Sequence, residues 1–159
     1  MVRKATRMSQ KLVMPTVILS MGIGASSAYA HHSHPIFYDA CKRTTIEGRI
    51  ERVEFRDPHT SIVLRLDDGT MYTVDWAGLR GLTTNGVIVT AKAALVPGAR
   101  VVVTGDPIRP LAEIRAKFPD FTGVGVNPNT VDLISIRRVG DSFSYARPPA
   151  ANPVKCEGK

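Results

Sequence analysis

Three of the four histidines in this 159-residue chain lie within four consecutive positions, His-His-Ser-His at 31–34, and the fourth is His59. Imidazole nitrogens are suitable ligands for copper, zinc and nickel. If the chain is cleaved after Ala30, the α-amine and the imidazole of residue 31 chelate one ion, and Cu(II) is favoured by intrinsic affinity. The pattern predicts a metal site for copper first and zinc second. The predicted ligands are His31 with its α-amine, His32 and His59, with His34 as a further candidate.

A plain structural interpretation of the same residues is also open. Polar residues of almost any kind follow a cleavage site, so the run is also typical of a solvated chain end. His59 follows Asp57-Pro58 and would then simply belong to a turn. If the metal site exists, Asp39 and Asp57 are the candidates to hydrogen-bond to the ligating histidines or to supply an oxygen ligand.

The first thirty residues have the organisation of a secretory signal peptide. Four basic residues precede an apolar segment at 12–24, and Ala28-Tyr29-Ala30 is a small-residue cleavage site. The apolar segment is shorter than the about 20 residues that a membrane-spanning helix needs. We therefore expect cleavage after Ala30, no stable membrane anchor afterwards, and a periplasmic or secreted mature protein. An uncleaved N-terminal anchor is the alternative.

The charge of the chain changes when the signal peptide is set aside. The whole chain has 21 basic and 14 acidic residues, whereas residues 31–159 have 17 basic and 14 acidic residues. Much of the basicity is thus a targeting feature and does not indicate nucleic-acid binding. The expected partner is a metal ion or a periplasmic protein, with no nucleic acid.

The two cysteines, Cys41 and Cys156, lie near the two ends of the predicted mature chain. A single pair in an oxidising compartment is most simply a disulfide, which here would hold the proline-rich C-terminal tail. The alternative is a pair of thiolate metal ligands, although no Cys-x-x-Cys spacing supports it.

Alternation of polar and apolar residues predicts a mostly β protein with five strands. The predicted strands are 44–55, with a bulge near Arg52, and 60–66, 71–76, 100–105 and 131–139. A short helix is predicted at 79–85, the segment 87–95 is ambiguous between helix and strand, and a weak helix is predicted at 111–118.

This order of elements predicts the fold class. Five strands with a helix between the third and the fourth is the layout of the OB-fold, a small Greek-key barrel. An open sheet or half-barrel is the alternative. We expect one OB-like domain over residues 31–159, with an irregular proline-rich tail from Gly140.

Several short motifs follow one another along the chain in a definite order. They are His31-His32-Ser33, Glu47-Gly48-Arg49-Ile50, Asp57-Pro58-His59, Val74-Asp75-Trp76, and a Pro-Gly-x-x-Val-x-Val-x-Gly-x-Pro segment at 97–107. Together they resemble a family of small secreted bacterial proteins of unknown function. The resemblance implies an extracytoplasmic small β-barrel and supplies no established activity. The chain departs from the family pattern at Asp57, where asparagine is usual, and at His34, where an aromatic residue is usual.

Two other functional classes compete with metal binding. In the first, an OB-fold module binds a sugar, another small ligand or a protein partner without a metal. Its candidate face consists of Tyr72, Trp76, Arg49 and Arg65. The second class, an enzyme, is not indicated, because Gly-x-Ser-x-Gly and His-Glu-x-x-His motifs are absent from the sequence. We therefore expect a non-enzymatic binding protein.

Overall fold

The structure is a computed structural model that describes residues 34–123, 126–151 and 153–156. The predicted signal peptide, its cleavage site, His31 and His32 lie outside the described residues, as does the side chain of His34. In the part of the chain that is described, no helix has the length and apolar character needed to cross a membrane.

The described residues form six strands and four short α-helices, with one turn of 3₁₀ helix at Ala40–Lys42. The strands are β1 (Thr44–Glu54), β2 (His59–Arg65), β3 (Met71–Ala77), β4 (Arg100–Pro107), β5 (Thr130–Arg138) and β6 (Ser144–Ala146). The helices are α1 (His34–Phe37), α2 (Leu79–Thr84), α3 (Ile88–Ala94) and α4 (Leu111–Lys117).

The strands β1 to β5 close into a barrel. Antiparallel pairs run in the order β3-β2-β1-β4-β5, and β3 pairs with β5 in parallel to complete the ring. A closed five-stranded barrel with helical structure between its third and fourth strands is the OB-fold arrangement. The predicted fold class is therefore confirmed.

The barrel forms because one face of each strand is apolar. Burial alternates along β1 and β2, and the register shift between Ile50 and Arg52 is the predicted bulge. The antiparallel strands β2 and β3 are joined by a turn in which Gly69 has a φ of 85°. The largest fully buried side chains include Trp76, Ile50, Ile62, Leu64, Leu82, Leu133 and Ile136.

Two elements differ from what the alternation pattern indicates. The ambiguous segment 87–95 contains the helix α3, because Ala91 and Leu95, one helical turn apart, both pack into the core. The tail, expected to be irregular, contributes the short strand β6, which pairs with β5. Tyr145 of β6 lies against Trp76, with 4.9 Å between the ring centroids.

The predicted disulfide is present. Cys41 and Cys156 are bonded, with their Cα atoms 5.5 Å apart. Because both cysteines of the chain are used in this bond, the alternative of two thiolate metal ligands is wrong. The bond joins the segment before β1 to the C-terminal tail.

Candidate functional site

The segment 34–43, called here the N-terminal strap, leads into β1 and is fixed to the barrel along its way. The backbone N–H of Asp39 donates to the carbonyl of Pro107 at 2.8 Å, and that of Arg109 donates to the carbonyl of Phe37 at 2.7 Å. The Arg109 guanidinium also pairs with the Asp39 carboxylate at 3.3 Å. The strap therefore has a defined position beside β4 and the residues that follow it.

Three aspartates lie next to one another on the outer face of the barrel. Asp75 of β3 is in register with Asp132 of β5, which is in register with Asp106 of β4. Arg43 Nε donates to Asp106 Oδ1 at 2.8 Å, and Arg147 Nη1 lies 2.6 Å from Asp132 Oδ2. Two of the three carboxylates are thus neutralised by arginines from the two ends of the described chain.

The third carboxylate, Asp75, has a neutral partner. The Tyr38 hydroxyl, from the N-terminal strap, donates a 2.6 Å hydrogen bond to Asp75 Oδ2. Burial of the phenol, reinforced by the negative charges of Asp75 and Asp132, raises the pKa of Tyr38 above its ordinary value of 10. The phenol therefore stays protonated and keeps donating at physiological pH.

A cleft of about 560 Å³ opens beside this hydrogen bond. Its walls are the outer face of β2 and β3, the turn before β2, the connection between β4 and β5, and the N-terminal strap. The polar groups that line it include Tyr38, Asp57, His59, Ser61, Thr73, Asp75 and Asn127. The face of strands 2 and 3 with these two loops is where OB-folds bind ligands.

The turn that precedes His59 lies against the start of α2. The backbone N–H of Arg80 donates to Asp57 Oδ1 at 3.3 Å, so this carboxylate caps α2. A Cβ atom added to Gly78 would lie 2.5 Å from the same Oδ1, so only glycine permits this approach. His59, the first residue of β2, is exposed at the cleft.

The two aspartates predicted to be partners of the histidines, Asp39 and Asp57, lie in different surroundings. Asp57 lines the same cleft as His59. Asp39 is 6% exposed and does not line the cleft; its carboxylate accepts the Cys41 N–H at 3.1 Å and pairs with Arg109. The described residues contain no group of three or more His, Cys, Asp or Glu arranged to hold a metal ion.

The ligand face proposed around Trp76 does not exist as one surface. Trp76 is 1% exposed and points into the barrel, whereas Arg49 and Arg65, which are in register across β1 and β2, are exposed. The indole and the guanidinium groups therefore lie on opposite sides of the sheet. That particular expectation is wrong.

Sequence reasoning missed Tyr38 and Asp75 as members of the cleft. The alternation of β3 already placed Asp75 opposite Trp76, which is the outer side of the strand. Its hydrogen bond with Tyr38, 37 positions away in the sequence, could not be predicted from the alternation pattern of β3.

Comparison with known proteins gives a family. A family model described as a family of unknown function, DUF6152, matches residues 18–113, which is more than half of the chain. The expectation of an uncharacterised family is confirmed. No curated protein matches the sequence. Among solved structures, the crystal structure of the S. pombe Stn1-Ten1 complex is similar with a TM-score of 0.41 and 12% identity, over 62% of this chain and 59% of that chain.

Proposed function

This chain belongs to DUF6152, a family of unknown function, and we propose from its own residues that it is an extracytoplasmic protein that binds a transition metal without catalysing a reaction. Copper is the first candidate and zinc the second. The proposed ligands are His31 with its α-amine, His32 and His59, with His34 as a further candidate. Signal cleavage after Ala30 would create the free amine in a periplasmic or secreted protein.

The observation that supports this proposal is that His59 and Tyr38 line the same cleft. Tyr38 lies seven positions after His31, so the first mature residues directly precede the strap, whose Tyr38 lines the cleft together with His59. Because the strap is hydrogen-bonded to the barrel, bringing the two donors together costs less conformational entropy than closing a free loop.

The proposed location is supported by the disulfide. A bond between Cys41 and Cys156 persists in oxidising compartments and is rare in the cytosol. Its position also favours the site, because it fixes the end of the N-terminal strap next to β1.

The test is a calorimetric titration, with Cu(II) and with Zn(II), of the protein that begins at His31. The matched variant carries one extra glycine before His31, which moves the free amine out of the chelate. We expect one ion per chain, bound at least tenfold more weakly when the glycine is present. Weak binding by both forms would remove the N-terminal histidines from the proposal.

A second variant tests the cleft histidine. His59→Ala should weaken metal binding at least tenfold without changing the thermal unfolding midpoint of the metal-free protein, because the side chain is exposed. An unchanged affinity would remove His59 from the ligand set.

The cleft position also favours a second candidate, an OB-fold module that binds a small ligand or a protein partner without a metal. The outer face of β2 and β3 supplies the Ser61 and Thr73 hydroxyls, and Asn127 supplies an amide. A set of periplasmic metabolites screened by thermal shift would test it. Stabilisation that disappears in Ser61→Leu, which fills the cleft, would support this candidate if metal binding fails.

A further inference from the structure

The row of three aspartates on the outer face of the barrel carries more negative charge than its arginines neutralise. Arg43 pairs with Asp106. Arg147 pairs with Asp132, whereas Asp75 makes no ion pair within the described ranges. Of these three carboxylates, Asp75 is the one that lines the cleft, and it is partly buried there. A carboxylate partly withdrawn from water is stabilised by a cation beside it, so the uncompensated charge faces the space that a ligand would occupy.

The other charged groups of the cleft leave it acidic. Arg56 brings a positive charge to the lining, but its Nη1 lies 3.4 Å from Oε2 of Glu54, which does not line the cleft. Asp57 adds a second carboxylate, which accepts the backbone N–H of Arg80 and makes no ion pair in the described part of the chain. A concave surface lined by one sign of charge attracts ligands of the opposite sign. The charge balance therefore favours a cationic ligand.

Two hydroxyl groups flank the Asp75 carboxylate. Ser61 of β2 is in register with Asp75 of β3, a relation in which Cβ atoms are about 4.5–5.5 Å apart. Thr73 lies two positions before Asp75, on the same face of β3, and its Oγ1 accepts from Asn127 Nδ2 at 3.3 Å. An ammonium group has three N–H donors and no acceptor. One carboxylate oxygen and two hydroxyl oxygens are acceptors of the kind and number that it needs.

The cleft also has an apolar wall, formed by Pro58, Ile108 and Val126. The side chains of Ile108 and Val126 are partly buried, and they belong to the connection between β4 and β5. Sites for small molecules have volumes of about 300–1,000 Å³ and combine apolar walls with a few polar groups. The cleft of about 560 Å³ fits this description. Its apolar wall favours an organic cation that carries methylene groups.

We propose that the cleft binds a small aliphatic amine, whose ammonium group pairs with the Asp75 carboxylate and donates to the hydroxyls of Ser61 and Thr73. The Tyr38 hydroxyl donates to Asp75 Oδ2 at 2.6 Å and so holds the carboxylate in place, which leaves the other oxygen to the ligand. The methylene groups of the ligand pack against the apolar wall. This inference rests on the second candidate function, binding of a small ligand in the cleft, and it does not require a bound metal.

The experiment is a calorimetric titration of the protein that begins at His31, stripped of metal ions on a chelating resin. The ligands are 1,4-diaminobutane, chosen because two carboxylates line the cleft, and 1,4-butanediol, which has the same carbon chain without the charges. We expect the diamine to bind at least tenfold more tightly than the diol. Asp75→Asn keeps the shape of the side chain and removes its charge, so it should weaken binding of the diamine at least tenfold.

The matched control is Asp120→Asn, because Asp120 is exposed and does not line the cleft. Its affinity for the diamine should equal that of the unchanged protein. A lysine side chain of a protein partner would offer the same ammonium group. Tighter binding of Nα-acetyl-lysine amide than of the diamine would assign the cleft to such a partner and overturn the proposal of a small amine.

The remaining outcomes separate this inference from the function on which it rests. If the diol binds as tightly as the diamine, or if Asp75→Asn binds the diamine as tightly as the unchanged protein, the cation is not recognised at Asp75 and the small-ligand function stands. If the diamine does not bind but a neutral metabolite stabilises the protein, the same conclusion holds. If no small molecule binds, both the inference and the second candidate function fail.

A measurement without substitution covers the case in which Asp75→Asn does not fold. In ¹⁵N-labelled protein, addition of 1,4-diaminobutane should shift the backbone amide resonances of Ser61, Thr73 and Asp75 and leave that of Asp120 in place. Unshifted resonances at the three cleft residues, at a diamine concentration that saturates the calorimetric signal, would overturn the inference.

Discussion

Replacing Gly78 by alanine should disturb the turn that carries His59. The added Cβ would lie 2.5 Å from Asp57 Oδ1 and 3.0 Å from the carbonyl carbon of Pro58, and it would overlap the Pro58 carbonyl oxygen. Ordinary contacts begin at 3.4 Å, so the turn must move by about 1 Å. Overpacking of this kind costs about 1–3 kcal/mol of unfolding free energy.

The matched control is Gly81→Ala, because Gly81 lies inside α2, three positions after Gly78, which directly precedes that helix. The nearest atom to a Cβ at Gly81 is the Ala77 Cβ at 3.6 Å, which is an ordinary contact. Alanine within a helix is favoured over glycine by up to about 1 kcal/mol. Gly78→Ala should therefore lower the free energy of unfolding, whereas Gly81→Ala should leave it unchanged or raise it.

The assay is equilibrium unfolding in guanidinium chloride, followed by circular dichroism, with metal titrations on the same samples. Gly78→Ala should also weaken Cu(II) and Zn(II) binding, since the displaced turn carries His59, whereas Gly81→Ala should leave both affinities unchanged. If Gly78→Ala is as stable as Gly81→Ala, the turn does not depend on the close approach at Gly78, and our account of how His59 is positioned is wrong.

Two further predictions concern the strap and its anchors. The double variant Cys41→Ser/Cys156→Ser should lose up to about 5 kcal/mol of unfolding free energy, because the bond closes a loop with a sequence separation of 115; equal guanidinium midpoints with and without the bond would contradict this. The raised pKa of Tyr38 contributes stability that is present below pH 10 and is lost as the pH rises above 10 toward the higher pKa of the folded state. Tyr38→Phe removes this dependence, so the stability advantage of the unchanged protein over Tyr38→Phe should shrink above pH 10; a constant difference, measured by urea unfolding across that range, would refute the assignment.

The barrel was predictable because each of its strands carries its own signal. Ile62 and Leu64 on β2, and Val74 and Trp76 on β3, occupy alternate positions and are all buried. A pattern with a period of two is produced by any strand with one face in a core, so it is visible without knowing the partner strand. The order of five such strands with a helical connection was then enough to predict the OB-like arrangement.

Elements whose stability comes from their neighbours were harder to predict. The start of α3 contains valine and isoleucine, whose intrinsic propensity favours a strand. The segment is a helix because that conformation buries Ala91 and Leu95 against the barrel. β6 has only three residues, so it shows no period. It forms because Ser135, Ile136 and Arg137 of β5 offer it an edge.

The candidate site shows the same limit in its chemistry. In the sequence, Asp39, Asp57 and Asp75 are equivalent carboxylates, and the first two lie nearest to histidines, at His34 and His59. In the structure Asp39 is neutralised by Arg109, 70 positions away, and Asp57 caps α2. Asp75 accepts the Tyr38 hydroxyl and makes no ion pair within the described ranges. Whether an aspartate is neutralised thus depends on which basic side chains the fold places beside it. Those side chains come from parts of the sequence that are too far away for a local motif to include.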